Sequence, residues 1–343
     1  MRRLMLSLLL LMLAVGLVAC GGGGEEAATQ APAQEEAKPF RIAVVMPSAI
    51  NDMAFSQSMY EALVKLQEEM GGPDKMEFVY SENMYVVDDA AAAIRDYASQ
   101  GYDLVIAHGS QYGSSLQEIA PDFPNTSFAW GTTVDTFKEM GITNVFAYEA
   151  RSEQGGYVNG VMAAMLSQSG VVGVVGPIET GDAKLYIDGF KAGVLATNPD
   201  AQVNINYIGS FSDVALAAEA AKTHIDAGAD VLTGTAQMVV GAIGVAKENG
   251  VLWFGTQADQ SSLAPEIVVA NQVYDWTVVL KPMVENIRNG VLGGEAYALT
   301  LANGGLTIQY NPQFDLPDEV KAAAEETIQG IIDGSIQVPV GGE

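Results

Sequence analysis

Gly101-Tyr102-Asp103-Leu104-Val105-Ile106 and Gly228-Ala229-Asp230-Val231-Leu232-Thr233 echo each other across this 343-residue chain. Each reads as a glycine that stops a helix, followed by a short apolar strand of the kind buried on both faces. The two phrases lie about half the folded length apart, which predicts two similar α/β lobes rather than one long sheet. From Phe40 onward, β-branched runs alternate with longer helix-period segments, the pattern of a parallel sheet covered by helices. Strands are predicted over Arg41–Met46, Met76–Tyr80, Leu104–Ala107, Ser127–Ala129, Val171–Val175, Val203–Tyr207, Val231–Thr233, Leu252–Phe254 and Ile267–Ala270. Between them, Ser212 and Asp213 can cap a helix through Ala227 with Val214, Ala218, Ala221 and Ile225 on one face, and Asp88 or Asp89 opens another that ends at Gly101.

Outside this folded region lies a different kind of sequence. Arg2 and Arg3 precede an apolar run from Leu4 to Leu17 and then Val18-Ala19-Cys20, a positively charged start and a hydrophobic stretch too short to span a bilayer. Leu17-Val18-Ala19-Cys20 resembles a bacterial lipobox, in which the cysteine becomes the acylated first residue. Cys20 is the only cysteine, so no disulfide framework competes with that reading. Residues 1–19 are thus expected to be a lipoprotein signal peptide. Residues 20–38, from the acylated Cys20 through glycines, Glu pairs, Ala, Gln and Pro, are expected to be a flexible tether at the membrane surface.

The formal charge is -26, and removal of residues 1–19 takes away Arg2 and Arg3 to leave -28. Nucleic acid and anionic lipid would repel such a surface, so nucleic-acid binding is not expected. Roughly 300 residues remain to fold, enough for two domains.

Ligands of open α/β sheets sit beyond the carboxyl ends of the strands, so the strand-to-helix loops hold the candidate residues. After the first strand, Asn51 or Asp52 is placed to cap the following helix, and Phe55 falls in its first turn. Phe55 has two readings, an aromatic over the cleft floor or an ordinary staple in the core. The third strand is followed by His108-Gly109-Ser110-Gln111-Tyr112, the fourth by Trp130-Gly131-Thr132, and the strand opening the second half by Gly176-Pro177-Ile178. Candidate contacts are Ser110, Gln111 and Trp130 from the first half and Gln237 and Met238 from the second. Asp259, in Gly255-Thr256-Gln257-Ala258-Asp259, either accepts charge-assisted hydrogen bonds from a ligand or caps the next helix.

No G-x-x-x-x-G-K-[ST], G-x-S-x-G or H-E-x-x-H pattern is present, and Gly170-x-x-Gly173-x-x-Gly176 falls within a strand before any helix. His108 and His224 are far apart in sequence, with no partner at metal-ligand spacing. The chain offers no catalytic set, metal or cofactor motif.

Seven phrases in order resemble the basic membrane protein (BMP) family of ABC-transporter substrate-binding lipoproteins over about residues 40 to 335. They are Arg41-Ile-Ala-Val-Val, Asn51-Asp52-x-x-Phe55-x-Gln57, Tyr102-Asp103-Leu104-Val105-Ile106, Glu153-Gln154-Gly155-Gly156-Tyr157-Val158-x-Gly160, Asp188-Gly189-Phe190-x-x-Gly193, Gly228-Ala229-Asp230-Val231 and Phe254-Gly255-x-x-x-Asp259. The resemblance implies a type I periplasmic-binding-protein fold, two Rossmann-like lobes with parallel sheets joined by three crossings. It also implies a purine base or nucleoside as ligand, with Phe55 as the stacking aromatic and Asp259 as the acidic contact, and ABC permease subunits as partners. Ser56 and the segment Asn271–Asp275 differ from the nucleoside-binding pattern, and the Phe254-Gly255-x-x-x-Asp259 form with Trp130 is closer to the subgroup that binds a free base.

Lobe 1 is expected over residues 39–149 plus about 259–298, and lobe 2 over 150–258 plus about 299–340. The expected function is extracytoplasmic, membrane-anchored capture of a small ligand for import. A sugar-like ligand and a ligand-sensing role beside a membrane kinase are the rival readings.

Overall fold

The computed structural model describes residues 38–340; the signal region, Cys20 and nearly all of the expected tether lie outside them. The strands collect into two six-stranded sheets whose orders are β11-β5-β4-β3-β1-β2 and β12-β10-β9-β8-β6-β7. In the first, β1 (Phe40–Val45), β2 (Met76–Ser81), β3 (Leu104–His108), β4 (Ser127–Gly131), β5 (Val145–Ala150) and β11 (Ala296–Leu299) pair in parallel. In the second, β6 (Val171–Gly176), β7 (Gln202–Tyr207), β8 (Val231–Gly234), β9 (Leu252–Gln257) and β10 (Val268–Tyr274) are parallel, and β12 (Leu306–Tyr310) closes the edge antiparallel to β10. Read from β2 and from β7, the two sheets carry the same order of strands, so the repeat seen in the two glycine-strand phrases is a repeat of topology. Every residue of β3 and β8 is buried, as the apolar runs require.

Each sheet changes direction of winding beside its first strand, between β1 and β3 and again between β6 and β8. Loops after these strands diverge there and leave a crevice at their carboxyl ends.

The chain passes between sheets after β5, after β10 and between β11 and β12. The division expected from the sequence sets residues from about 259 to 298 with the first lobe. Instead β10 hydrogen-bonds in register with β9, Asn271 opposite Gly255 and Gln272 opposite Thr256, and so belongs to the second sheet. The passage falls near Asp275, where β10 ends and α8 (Thr277–Arg288) begins to pack on α1 (Phe55–Glu69).

Two of the quoted phrases are structural in the fold. α4 (Glu153–Leu166) and α5 (Gly181–Thr197) cross so closely that a Cβ on Gly156 would run into Tyr186 O, one on Gly160 into Phe190 O, and one on Gly193 into Tyr157 O. The glycines of Gly156-Tyr157-Val158-x-Gly160 and Gly189-Phe190-x-x-Gly193 thus bring two backbones together. Among the other helices, α6 (Val214–Asp226) starts as expected: the Asp213 carboxylate accepts from Leu216 N at 2.9 Å.

Candidate functional site

The loop after β1 is shaped by Asp52. Its carboxylate accepts from the amides of Ala54 (2.9 Å), Ser56 (3.1 Å) and Gln57 (3.1 Å), satisfying the open end of α1. Burial pushes the Asp52 carboxyl up, and those amides pull it back down. The result fixes Phe55 as the first residue of α1.

Phe55 lies flat on the imidazole of His108, ring centroids 3.8 Å apart and planes 6° from parallel. Trp276 meets the Phe55 ring edge-on at 6.1 Å and 90°, and donates from its indole nitrogen to Ser58 Oγ at 2.9 Å. His108 Nε2 is 3.1 Å from Phe55 O and Nδ1 is 2.8 Å from Tyr148 Oη. A carbonyl oxygen only accepts, so Nε2 carries the proton and Nδ1 accepts from the tyrosine hydroxyl. Complete burial lowers the His108 pKa to about 3, so the ring is neutral. One face of Phe55 is backed and one edge is braced.

Phe55 is 7 % exposed and belongs to the hydrophobic core, and the little surface it leaves open borders a cavity at the carboxyl ends of both sheets. From loops of the first sheet come Pro47, Tyr85, Gly109, Ser110, Gln111 and Thr132. Loops of the second sheet supply Thr180, Asp182, Phe211, Ala236, Gln237 and Gln257. The two sides touch: Gln237 Nε2 donates to Tyr85 Oη at 3.3 Å. Gly181 has φ +54°, and a Cβ there would stand 2.5 Å from Thr132 Oγ1, so the loops approach this closely only because residue 181 has no side chain.

Asp182 is the only acidic residue lining this cavity, and no Lys or Arg lines it among the described residues. It is 6 % exposed. Its Oδ2 accepts from Tyr274 Oη at 3.1 Å and Gln257 Nε2 at 3.3 Å. Burial pushes the carboxyl up, and the bonds from Gln257 and Tyr274 hold it back down. Gln257, at the end of β9 with φ +75°, is fixed at its other end because Oε1 accepts from Ala236 N at 3.2 Å.

Of the residues singled out in the sequence, Phe55, Ser110, Gln111 and Gln237 border the cavity; Asn51, Asp52, Trp130 and Asp259 do not. Asn51 is exposed on the loop that Asp52 organises. Trp130 stacks on Phe137 at 4.9 Å and donates to Gly109 O at 3.2 Å, which supports the floor of the Ser110–Gln111 loop. Met238 is fully buried in the core of the second half. The carboxylate of Asp259 is turned away: it accepts from Ser261 N (2.9 Å), Asn271 Nδ2 (3.0 Å) and Gln309 Nε2 (3.2 Å). The position from that phrase that reaches the cavity is Gln257, two residues earlier.

Sequence reasoning missed Tyr85, Phe211, Asp182 and Gln257. All but Asp182 stand at or just past strand ends or in the loops that follow them, and the strand-end rule applied to every loop would reach them. Asp182 sits in the first turn of α5, where an acidic residue reads as a response to the helix dipole. No group of three or more His, Cys, Asp or Glu able to hold a metal occurs among the described residues.

Two Rossmann-like sheets of equivalent strand order, joined by three passages, make up the type I periplasmic-binding-protein fold. An ABC-transporter solute-binding protein of Conexibacter woesei aligns with TM-score 0.71 at 24% identity over 87% of this chain and 98% of its own. One from Aeropyrum pernix aligns with TM-score 0.73 at 20% identity, over 88% and 94%. Over residues 40–340 the sequence matches the Bmp family, described as ABC transporter substrate-binding protein PnrA-like, and the chain belongs to that family. A purine-binding protein of Brucella abortus is 29% identical over 306 residues, 89% of this chain and 84% of that one. Basic membrane protein A2 of Borrelia garinii is 27% identical over 308 residues, 87% and 88% of the two chains.

The family binds solutes rather than transforming them. ABC-transporter substrate-binding proteins of this kind work outside the cytoplasmic membrane, with small-molecule ligands and permease components as partners. Among the described residues, no helix is long and apolar enough to cross a membrane.

Proposed function

We propose that this protein is the substrate-binding lipoprotein of an ABC importer, anchored through an acylated Cys20, and that it closes its two lobes around a purine base or nucleoside. The lobes are the two sheets with their covering helices, and the ligand sits in the cavity between them. One observation carries the reading: the Phe55 ring, backed by neutral His108 and braced by Trp276, turns its free surface to a cavity that the opposite lobe lines with Phe211, Asp182 and Gln257. Flat apolar walls with a few polar groups suit a planar heteroaromatic ligand, since π-faces stack at low entropic cost. The similarity to a purine-binding protein supports the same reading.

Ligand that touches both lobes stabilises the closed arrangement by its differential affinity, and the permease then meets the closed shape. Native mass spectrometry of the purified protein tests this: a retained mass of a purine base or nucleoside supports it, and a retained sugar opposes it. A sugar is the second reading, favoured by 24% identity over 313 residues to a putative ABC transporter glucose-binding protein of Haloferax volcanii. Calorimetry with adenine, guanosine, ribose and glucose separates the two.

A further inference from the structure

We infer that Asp182 sets the specificity of the cavity by accepting a hydrogen bond from an N–H group of the ligand, so that the protein selects amino-substituted or N–H-bearing heteroaromatic bases over analogues methylated at those nitrogens or amino positions. The inference rests on the purine reading of the site and adds to it the residue that reads the ligand's edge.

The carboxylate is held from one side. Both of its side-chain donors, Tyr274 Oη and Gln257 Nε2, go to Oδ2. Oδ1 receives no side-chain donor among the described residues, while the residue lines the cavity and is 6 % exposed. The backbone amides of Asp182 and Ala183 add to the pull on the carboxyl, yet burial outweighs all of these bonds. A nearly buried carboxylate with spare acceptor capacity is costly unless something supplies a donor. No Lys or Arg lines the cavity among the described residues to do so, and the Arg151 guanidinium is taken by Glu153 at 2.7 Å. Water can donate to it in the ligand-free protein, and a ligand that displaces that water must bring a donor of its own. Glu149 adds negative potential at Asp182 and opposes anionic ligands such as nucleotides and carboxylates.

The second donor ties the arrangement to this chain's own residues. Gln257 donates to Asp182 with its amide nitrogen while its oxygen is held by Ala236 N, so the amide orientation is fixed from both ends. Tyr274, at the end of β10, reaches Asp182 from the strand next to β9. The carboxylate is therefore oriented by two side chains, with one oxygen left for recognition. Phe55 and Phe211 would set the plane of a base, and Asp182 would set its rotation within that plane.

The test titrates adenine, 6-methylpurine and 9-methyladenine into the purified full-length protein and its Asp182→Asn and Phe55→Leu variants. 6-Methylpurine replaces the amino group with a methyl of nearly the same size, and 9-methyladenine replaces the N9–H with a bulkier N-methyl, so loss with 6-methylpurine is read as loss of the hydrogen bond and loss with 9-methyladenine counts only if Asp182→Asn removes it. The expected result is that wild type binds adenine, loses about tenfold or more in affinity for one of the two analogues, and that Asp182→Asn abolishes this discrimination. If wild type binds all three bases equally while Phe55→Leu weakens them all, the purine reading stands and the role of Asp182 is overturned. If wild type binds none of the three, the purine reading fails and takes this inference with it. Should Asp182→Asn fail to give a cooperative melt, the analogue series on wild type alone decides.

Discussion

Phe55 and His108 lie face to face with centroids 3.8 Å apart, and the histidine of the pair returns a hydrogen bond from Nε2 to the backbone oxygen of that same phenylalanine at 3.1 Å. The ring that offers itself to the cavity is therefore locked in position by the end of β3 before any ligand arrives. Preorganisation of this kind saves the ordering cost that a free aromatic would meet on binding.

Replacing Phe55 with Leu keeps an apolar side chain in the core and removes the aromatic face. Affinity for a purine base is expected to fall about 10- to 100-fold, in line with roughly 1–3 kcal/mol for base–aromatic stacking. Calorimetric titration of wild type and variant measures it, and an unchanged affinity would remove Phe55 from the site.

His108 gives a pH dependence with a definite sign. Its folded pKa is about 3 against 6.5 for the free side chain, so between those values the unfolded chain binds the extra proton. Stability from this group is fully present above pH 6.5 and is lost as pH falls toward 3. Asp52, Asp182, Glu149 and Glu153, whose carboxyls are raised by burial, act in the opposite direction. The histidine contribution is isolated by comparing urea unfolding of wild type and His108→Phe at pH 7 and 4.5, where the variant should lose less stability on acidification than wild type does.

Much of this architecture is legible in the amino-acid sequence, for physical reasons. Strands buried on both faces, such as Leu104–His108, must be apolar, so their pattern is unambiguous. β11 and β12 are edge strands with exposed positions, so neither announces itself by hydrophobicity, whereas β5 is buried at every position but Glu149 and its apolar run Val145–Tyr148 is legible. Asp259 reads as the late acidic contact because sequence order does not tell which residue past a strand end turns inward. The backbone turns at Gln257, φ +75°, and the next carboxylate goes to Asn271 and Gln309 instead. Asp182 stays hidden because its partners Gln257 and Tyr274 are 75 and 92 positions away.

Gly181→Ala places a methyl against Thr132 and holds the two loops apart. Ligand affinity should drop about tenfold, an estimate built on roughly 1–2 kcal/mol for a strained contact. Thr132→Ala in the same chain should restore part of it. A double-mutant cycle by calorimetry reads the coupling between the two positions, and strict additivity would place the loops farther apart than the closed arrangement requires.

Gly160→Ala drives a Cβ into Phe190 O at the crossing of α4 and α5. Backbone against backbone leaves no side chain to yield, so a loss of roughly 1–3 kcal/mol or more is expected. Denaturant unfolding measures it, with Gly244→Ala as the clash-free control inside another helix, expected to gain about 0.5–1 kcal/mol from helix propensity.

Cys20→Ser removes the thiol on which acylation depends. The protein should then leave the membrane fraction and fail to incorporate labelled fatty acid, while purine affinity stays unchanged. Continued membrane association of the variant would count against the lipid anchor.

The most direct measurement is a crystal structure of the protein grown with adenine. The base is expected between the two sheets, its plane against the face of Phe55 that His108 does not cover, with a nitrogen within hydrogen-bond distance of Asp182 Oδ1. A base bound elsewhere, or an interlobe cavity left empty at saturating adenine, would contradict capture of a purine between the lobes.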